Sequence, residues 1–366
     1  MKEYSLKTRQ VALFFIAFTP LIKLFTMPSL IAGLSNNDGW ISIAINLIVE
    51  FFCLSLILFA NKNYDGDLYT FLSQNFNKTV AKVIFVLYAV YFLSKSILPI
   101  CEQKDYIELT LYQTSSNPLS FLPFLIISFY LSIKKLRVIG RVSDVLFLTT
   151  LVGYFVLIGL SVTNADYASI LPIGVNGAKN VFKASISSFT WFGDAVYLLF
   201  FTGKFNMKKG DGKKIVLAYL LSSILVLFFY ILFYGTFTSI AFRQRFALTE
   251  ISKYSSVINS VGRFDYIAIF CILISSVFST ATPLYFSVKC LFTAFPIKNK
   301  WIYSIIIHAL IFILITFFRE YFFTVEKLSE NVFSFIYPIF SYALPIVISI
   351  LMIKGKYKKE QVYEKS

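Results

Sequence analysis

Apolar runs long enough to cross a bilayer recur along the whole chain, separated by short polar segments. A crossing takes about 20 predominantly apolar residues. On that measure the runs predict ten helical spans, at about 8–34, 39–60, 79–101, 118–134, 142–163, 183–203, 214–240, 263–288, 301–319 and 331–353. They are continuous rather than alternating, which excludes a β-barrel. Asn37-Asp38-Gly39 reads as the cap that opens span 2. Leu68 to Phe76 reads as a short amphipathic segment at the interface. Residues 1–366 are thus expected to form a single polytopic membrane domain of the all-α class, ending in a tail over 354–366.

The rest of the chain is arranged around span 1, TRQVALFFIAFTPLIKLFTMPSLIAGL. Pro20 has no N–H and its ring clashes with the carbonyl four residues back, so the helix should open or kink around Ile16 to Thr19. Lys23 follows near mid-depth. A carbonyl freed in hydrocarbon is costly unless it faces protein, water or a ligand. Two readings stand: a proline kink packed on a neighbour with Lys23 reaching outward, or a discontinuous helix lining a site at the bilayer midplane. Under the second, Phe18, Thr19, Pro20 and Lys23 are candidate substrate-binding residues. Span 6 has a matching centre, Trp191-Phe192-Gly193-Asp194, where glycine weakens a helix and aspartate prefers a cap. These four residues are the candidates from the second half.

Ten spans divide into 1–5 and 6–10, repeat one over 8–163 and repeat two over 183–353. An odd number in each half inserts the halves in opposite orientation, an inverted repeat whose first spans are both broken. Glu50 in span 2 and Lys95 in span 3 join Lys23 and Asp194 as deep ionisable residues. Each costs about 2.5–3.5 kcal/mol at a helix centre, so all four should face the bundle. Glu50 and Lys95 read either as functional groups or as buried structural charges. In the structural reading Lys95 pairs with a carboxylate such as Glu102, and Glu50 takes backbone and hydroxyl donors. Lys23 and Asp194, opposite in sign at similar depth, would pair until an amino acid displaced them. In span 8, Ser276, Ser279 and Thr280 share one face before Pro283. Such hydroxyls join helices, or here line an ion site against span 1.

Composition narrows the class. With 57% hydrophobic and 14% charged residues, the chain is not a soluble domain, where about a quarter are charged. The net charge of +15 sits in short loops and implies no nucleic-acid partner. With the N-terminus in the cytoplasm, 23 lysines and arginines fall inside and 9 outside, so both termini are expected to be cytoplasmic. Three outer segments have content: Glu102 to Tyr112, the glycine-rich Asp166 to Asn180, and Arg243 to Gly262, long enough for a surface helix over a vestibule. The aromatic load of 19% reads mostly as lipid-facing bulk or interfacial belt. The start has the basic flank of a signal sequence without its cleavage site, and is expected to remain as a mature helix. Cys53, Cys101, Cys271 and Cys290 are scattered, and His308 reads as a packed histidine. No metal or cofactor is expected, and no motif argues for an enzyme.

SLKTRQ before the broken first span, MPSLIAGLSNNDGWIS over Met27 to Ser42, WFGDAVYLL in span 6 and GRFDYIAIF at span 8 resemble the spore germination permeases. These are the B-subunits of nutrient germinant receptors, in the amino acid–polyamine–organocation superfamily. The resemblance implies a LeuT-like five-plus-five inverted repeat. It also implies a subunit of the spore inner membrane that senses a small nutrient, usually an amino acid, beside a larger membrane-anchored A-subunit and a lipoprotein C-subunit. Thr19-Pro20 and Lys23 stand where these permeases usually carry small neutral residues, and Asp194 where a glutamate is expected. The competing readings are a proton- or Na⁺-coupled amino acid transporter and a structural subunit with a vestigial pocket.

Overall fold

The computed structural model describes residues 5–64, 66–108, 121–208, 210–253, 265–317 and 332–363. Among them the architecture is all helical. Span 1 is split: α1 (Thr8–Phe18) ends before Pro20, a 3₁₀ turn covers Leu21–Lys23, and α2 (Met27–Ser35) restarts. Pro28 lies in the first turn of α2, where its missing N–H has no helical partner to lose. α3 (Gly39–Asn63), the short α4 (Leu68–Asn75), α5 (Lys78–Ile107), α6 (Leu122–Ile133) and α7 (Leu136–Ser161) follow. Span 6 is also split, into α8 (Ala178–Ser187), a 3₁₀ turn over Ser188–Trp191, and α9 (Ala195–Phe200). Then come α10 (Asp211–Phe237), the surface helix α11 (Ala247–Lys253), α12 (Asp265–Ala294) and α13 (Trp301–Phe317). The last span consists of α14 (Ser334–Pro338), a π turn at Ile339–Ala343 and α15 (Leu344–Tyr363).

Among the described residues, six segments are long and apolar enough to cross a membrane: Met27–Asn63, Lys78–Ile107, Leu136–Asn164, Asp211–Arg243, Tyr266–Ala294 and Ser334–Lys354. The first of these contains both α2 and α3, which turn at Asn36 with φ +45°. α6 and α13 are shorter apolar helices, and the expected ends at 118–120 and 318–319 lie outside the described residues, as do 263–264, 331 and the outer residues 109–112 and 254–262.

Several boundaries move for a physical reason. α5 continues six residues past Cys101 because Glu102, Gln103 and Lys104 are buried in protein, so a break in the apolar run does not end the helix. α7 starts at Leu136 rather than 142, with Arg137 and Arg141 in its first turns. The π turn in the last span carried no local signal beyond Pro338 and Pro345.

Much of the packing, though not that of α7 on α12 or of α15 on α3, has the symmetry of an inverted repeat. α1 packs on α10, as α8 and α9 pack on α3; α1 also packs on α7, as the 3₁₀ turn before Phe192 packs on α14. α12 packs on α6, as α5 does on α13, while α3 against α10, α5 against α12 and α6 against α13 map onto themselves. Each relation is preserved when every span is exchanged for its counterpart five later. This is the LeuT-like five-plus-five arrangement, with its first and sixth spans broken. The two inner half-helices are tied at one end: the Leu6 amide donates to Lys204 O at 3.0 Å, Leu6 bridges Phe205, and Thr8 Oγ1 donates to Asn206 O at 3.1 Å.

The aromatic load is not mainly lipid-facing. Phe14, Phe18, Phe92, Tyr197, Phe278 and Phe286 are buried in one ring cluster, with Phe18 and Tyr197 centroids 4.9 Å apart and Phe92 and Tyr197 5.3 Å apart. The expectation failed because α1, α5, α9 and α12 converge below the breaks and need large side chains to fill the space.

Gly153 lies where α7 packs closely on α12. A Cβ there would lie 2.8 Å from Ile272 Cγ1 and 2.9 Å from Cys271 Cβ, whereas one at Gly159 would meet nothing. Gly153→Val should destabilise the purified protein by about 1–3 kcal/mol through overpacking, and Gly159→Ala should not. Thermal unfolding in detergent separates the two; equal melting of both variants would contradict this packing.

Candidate functional site

The site is built from the two breaks. In α1 the Thr19 amide still donates to Phe15 O, but Pro20 has no N–H to continue the ladder. Thr19 O instead accepts from its own span's Lys23 Nζ at 3.0 Å, and Lys23 O accepts from Tyr230 Oη at 2.9 Å. In span 6, Phe192 is extended (φ −104°, ψ 179°) and Gly193 has φ +103°, a region that favours glycine. The chain then enters α9 at Asp194.

Three backbone groups at the second break meet charged side chains from other helices. Glu50 of α3 accepts from the Gly193 and Ala195 amides through Oε1, at 2.9 and 3.1 Å, and from Tyr219 Oη through Oε2 at 3.1 Å. It therefore caps the N-terminus of α9 from a neighbouring helix, with its negative charge at the positive end of the dipole. Lys95 of α5 donates to Phe192 O, placing a positive charge at the C-terminal end of the preceding segment.

Lys23 joins the breaks. Its Nζ lies 2.6 Å from Asp194 Oδ2 and 4.9 Å from the centre of the Phe192 ring, and both charged side chains are 0% exposed. Lys23, Asp194, Glu50 and Lys95 thus form a buried group of two basic and two acidic side chains. Asp194 Oδ1, Thr19 Oγ1 and Tyr197 Oη are buried without a hydrogen-bond partner. The ring cluster of Phe14, Phe18 and Tyr197 closes the side facing the α1–α9 tie. On the other side Glu102 accepts from Thr26 Oγ1 and from the Trp191 indole N–H, the latter at 3.1 Å, bridging α2 to span 6. Farther out, Arg245 pairs with Asp105 at 3.0 Å.

The structure therefore brings Phe18, Thr19, Pro20 and Lys23 together with Trp191, Phe192, Gly193 and Asp194, and adds Glu50 and Lys95 as caps. Ser276, Ser279 and Thr280 are placed differently. Their hydroxyls donate to carbonyls three residues back on α12, and the Gln103 amide of α5 donates to Ser276 O and Ser279 Oγ at 3.1 and 2.9 Å. Ser276 and Ser279 thus join α12 to α5, while the Thr280 hydroxyl bonds within α12. His308 Nε2 and Ser128 Oγ are 3.1 Å apart, linking α13 to α6. Among the described residues no group of three or more His, Cys, Asp or Glu side chains could hold a metal.

Sequence reading missed Tyr219, Tyr230 and Tyr197 as members of the site. Tyrosines on one face of an otherwise apolar α10, at 219, 230 and 234, were the available signal.

Glu50→Ala should orphan two buried amides, at about 1–3 kcal/mol each, whereas the Tyr219 hydroxyl keeps the Leu47 carbonyl at 3.3 Å, and Glu50→Gln keeps an acceptor for the amides. The alanine variant should melt several degrees below the glutamine variant. Equal melting temperatures would show that Glu50 does not cap α9.

Comparison with known proteins fits this geometry. The spore permease family model, described as spore germination protein, matches residues 5–323. No curated protein matches the sequence. The nucleobase-cation-symport-1 family transporter MHP1, closed with bromovinylhydantoin bound, superposes with a TM-score of 0.64 at 14% identity, covering 92% of this chain and 75% of its own. The manganese transporter of Eremococcus coleocola, in complex with an aromatic bis-isothiourea substituted compound, gives 0.62 at 12% identity, covering 94% and 77%. These likenesses are of fold.

Proposed function

Because the chain belongs to the spore permease family of spore germination proteins, we propose that it is a germinant-receptor subunit that binds a small nutrient, an amino acid, between its two broken helices. The observation that carries this reading is the occluded Lys23–Asp194 pair, with one carboxylate oxygen of Asp194 left without a partner. Removing one partner of a buried ion pair costs about 3–5 kcal/mol, because the other charge is left uncompensated. A ligand that separates the pair must therefore offer both signs. An amino acid does so: its carboxylate replaces Asp194 at Lys23, and its ammonium replaces Lys23 at Asp194 and at the freed Thr19 carbonyl. Separation of the pair uncouples α1 from α9, and that movement is the signal.

The partners in this reading are a larger membrane-anchored A-subunit and a lipoprotein C-subunit, in the bacterial cell or spore inner membrane. Both termini face the cytoplasm, as the loop charges require. The transporter fold of the structural neighbours favours a second reading, uptake of the same ligand coupled to protons or Na⁺. Ion-dependent uptake into proteoliposomes would select it, and a nutrient response without uptake would select the sensor.

Asp194→Asn and Lys23→Met should each raise the nutrient concentration for half-maximal response by about a hundredfold or more, with unchanged protein in the membrane. The double variant should cost little more than either single one. Normal response and normal uptake by the single variants would remove the pair from the site. For orientation, Arg243→Cys should react with a membrane-impermeant thiol reagent from outside intact cells, and Lys358→Cys should not. The reverse pattern would invert the topology.

A further inference from the structure

A groove of about 790 Å³ lies where the C-terminal end of α3 meets the Met207–Gly210 linker and the first turns of α10. Its walls are apolar and open to lipid: Leu58, Phe59, Val216 and Leu217 line it, with Phe59 50% and Leu217 69% exposed. Lys62, Lys208 and Lys213 line the same groove and are exposed. Two carboxylates near these lysines in sequence, Asp211 and Asp67, are engaged elsewhere, and Asp65 lies outside the described residues. Asp211 accepts from Thr8 Oγ1, the Lys208 amide and Lys214 Nζ, and Asp67 pairs with Lys204.

On each wall the lining runs for two helical turns, from Ser55 to Lys62 and from Lys213 to Leu220, about 10 Å at 1.5 Å per residue. An apolar trough of that length ending in three ammonium groups fits an acyl chain below an anionic headgroup. A neutral lipid would bring no counter-charge to the three lysines of the lining; a phosphate compensates them.

We infer that this groove binds one anionic phospholipid, its chain along Phe59 and Leu217 and its phosphate among Lys62, Lys208 and Lys213. The leaflet is the one on the side of the Leu6–Phe205 tie. The inference does not depend on which nutrient the protein binds. It does bear on the site, because the lipid spans the two helices that carry Glu50 and Tyr219, whose 3.1 Å hydrogen bond holds the cap on α9.

The test is native mass spectrometry of the full-length protein with phosphatidylglycerol and phosphatidylcholine of identical chains. Retention of one phosphatidylglycerol in preference to phosphatidylcholine is expected. The combined Lys62→Gln, Lys208→Gln and Lys213→Gln variant should bind it roughly a hundredfold more weakly. Leu217→Trp, which fills the trough and leaves the charges, should also weaken it. All four positions are exposed, and the melting temperature verifies that both variants fold. Excess inorganic phosphate should not displace the lipid. Equal retention of the two lipids, unchanged binding by the lysine variant, displacement by phosphate, or no retained lipid, whether the groove is empty or covered by a protein partner, would overturn the assignment.

Discussion

A helix interrupted inside a bilayer strands backbone groups where no water can reach them. That constraint governs the centre of this protein. Two breaks lie side by side, and their loose amides and carbonyls are closed by side chains from α3, α5 and α10 together with Lys23 of span 1 itself. The charges are distributed as the helix ends demand. Carboxylate stands at the start of α9, and ammonium stands at the carbonyls that end the preceding segments. Charged side chains that look costly in an apolar run are here what makes the broken backbone tolerable.

The same arrangement makes the centre interdependent. Lys23 serves its own span's Thr19 carbonyl and Asp194 at once. Glu50 serves two amides and Tyr219. No one of the four charges can change partner without exposing another group. A centre of this kind has discrete arrangements rather than a continuum.

The breaks were legible in the sequence because proline, glycine and a charge inside an apolar run are local signals. The depth and sign of Lys23 and Asp194 were legible for the same reason, though their 2.6 Å separation is a tertiary fact. That Glu50 takes backbone and hydroxyl donors was legible in kind, but which groups these are, and the pairing of Lys95 with the Phe192 carbonyl rather than with Glu102, could not be read, since all of them lie more than ninety residues away in sequence. The aromatic cluster was misread because lipid-facing and core phenylalanines look alike in a run that is hydrophobic on every side. The continuation of α5 through Glu102, Gln103 and Lys104 was missed because burial by neighbouring helices, which extends the helix, leaves no mark in local hydropathy.

The tie between Leu6 and Phe205 has a mechanical consequence. α1 and α9 belong to different repeats, yet they are fastened at one end by Leu6 and Lys204 and at the other by Lys23 and Asp194. Two short rods joined at both ends behave as one panel. When the inner bond is undone, the hydrogen-bonded fastening at Leu6 is left with the ring contacts of Phe14 and Phe18 on Tyr197, so the rods swing apart by pivoting about Leu6 as those rings slide. The size of the opening at the centre is then set by the length of α1, eleven residues or about 16 Å. A change of a few degrees at the membrane surface becomes a displacement of ångströms at the midplane.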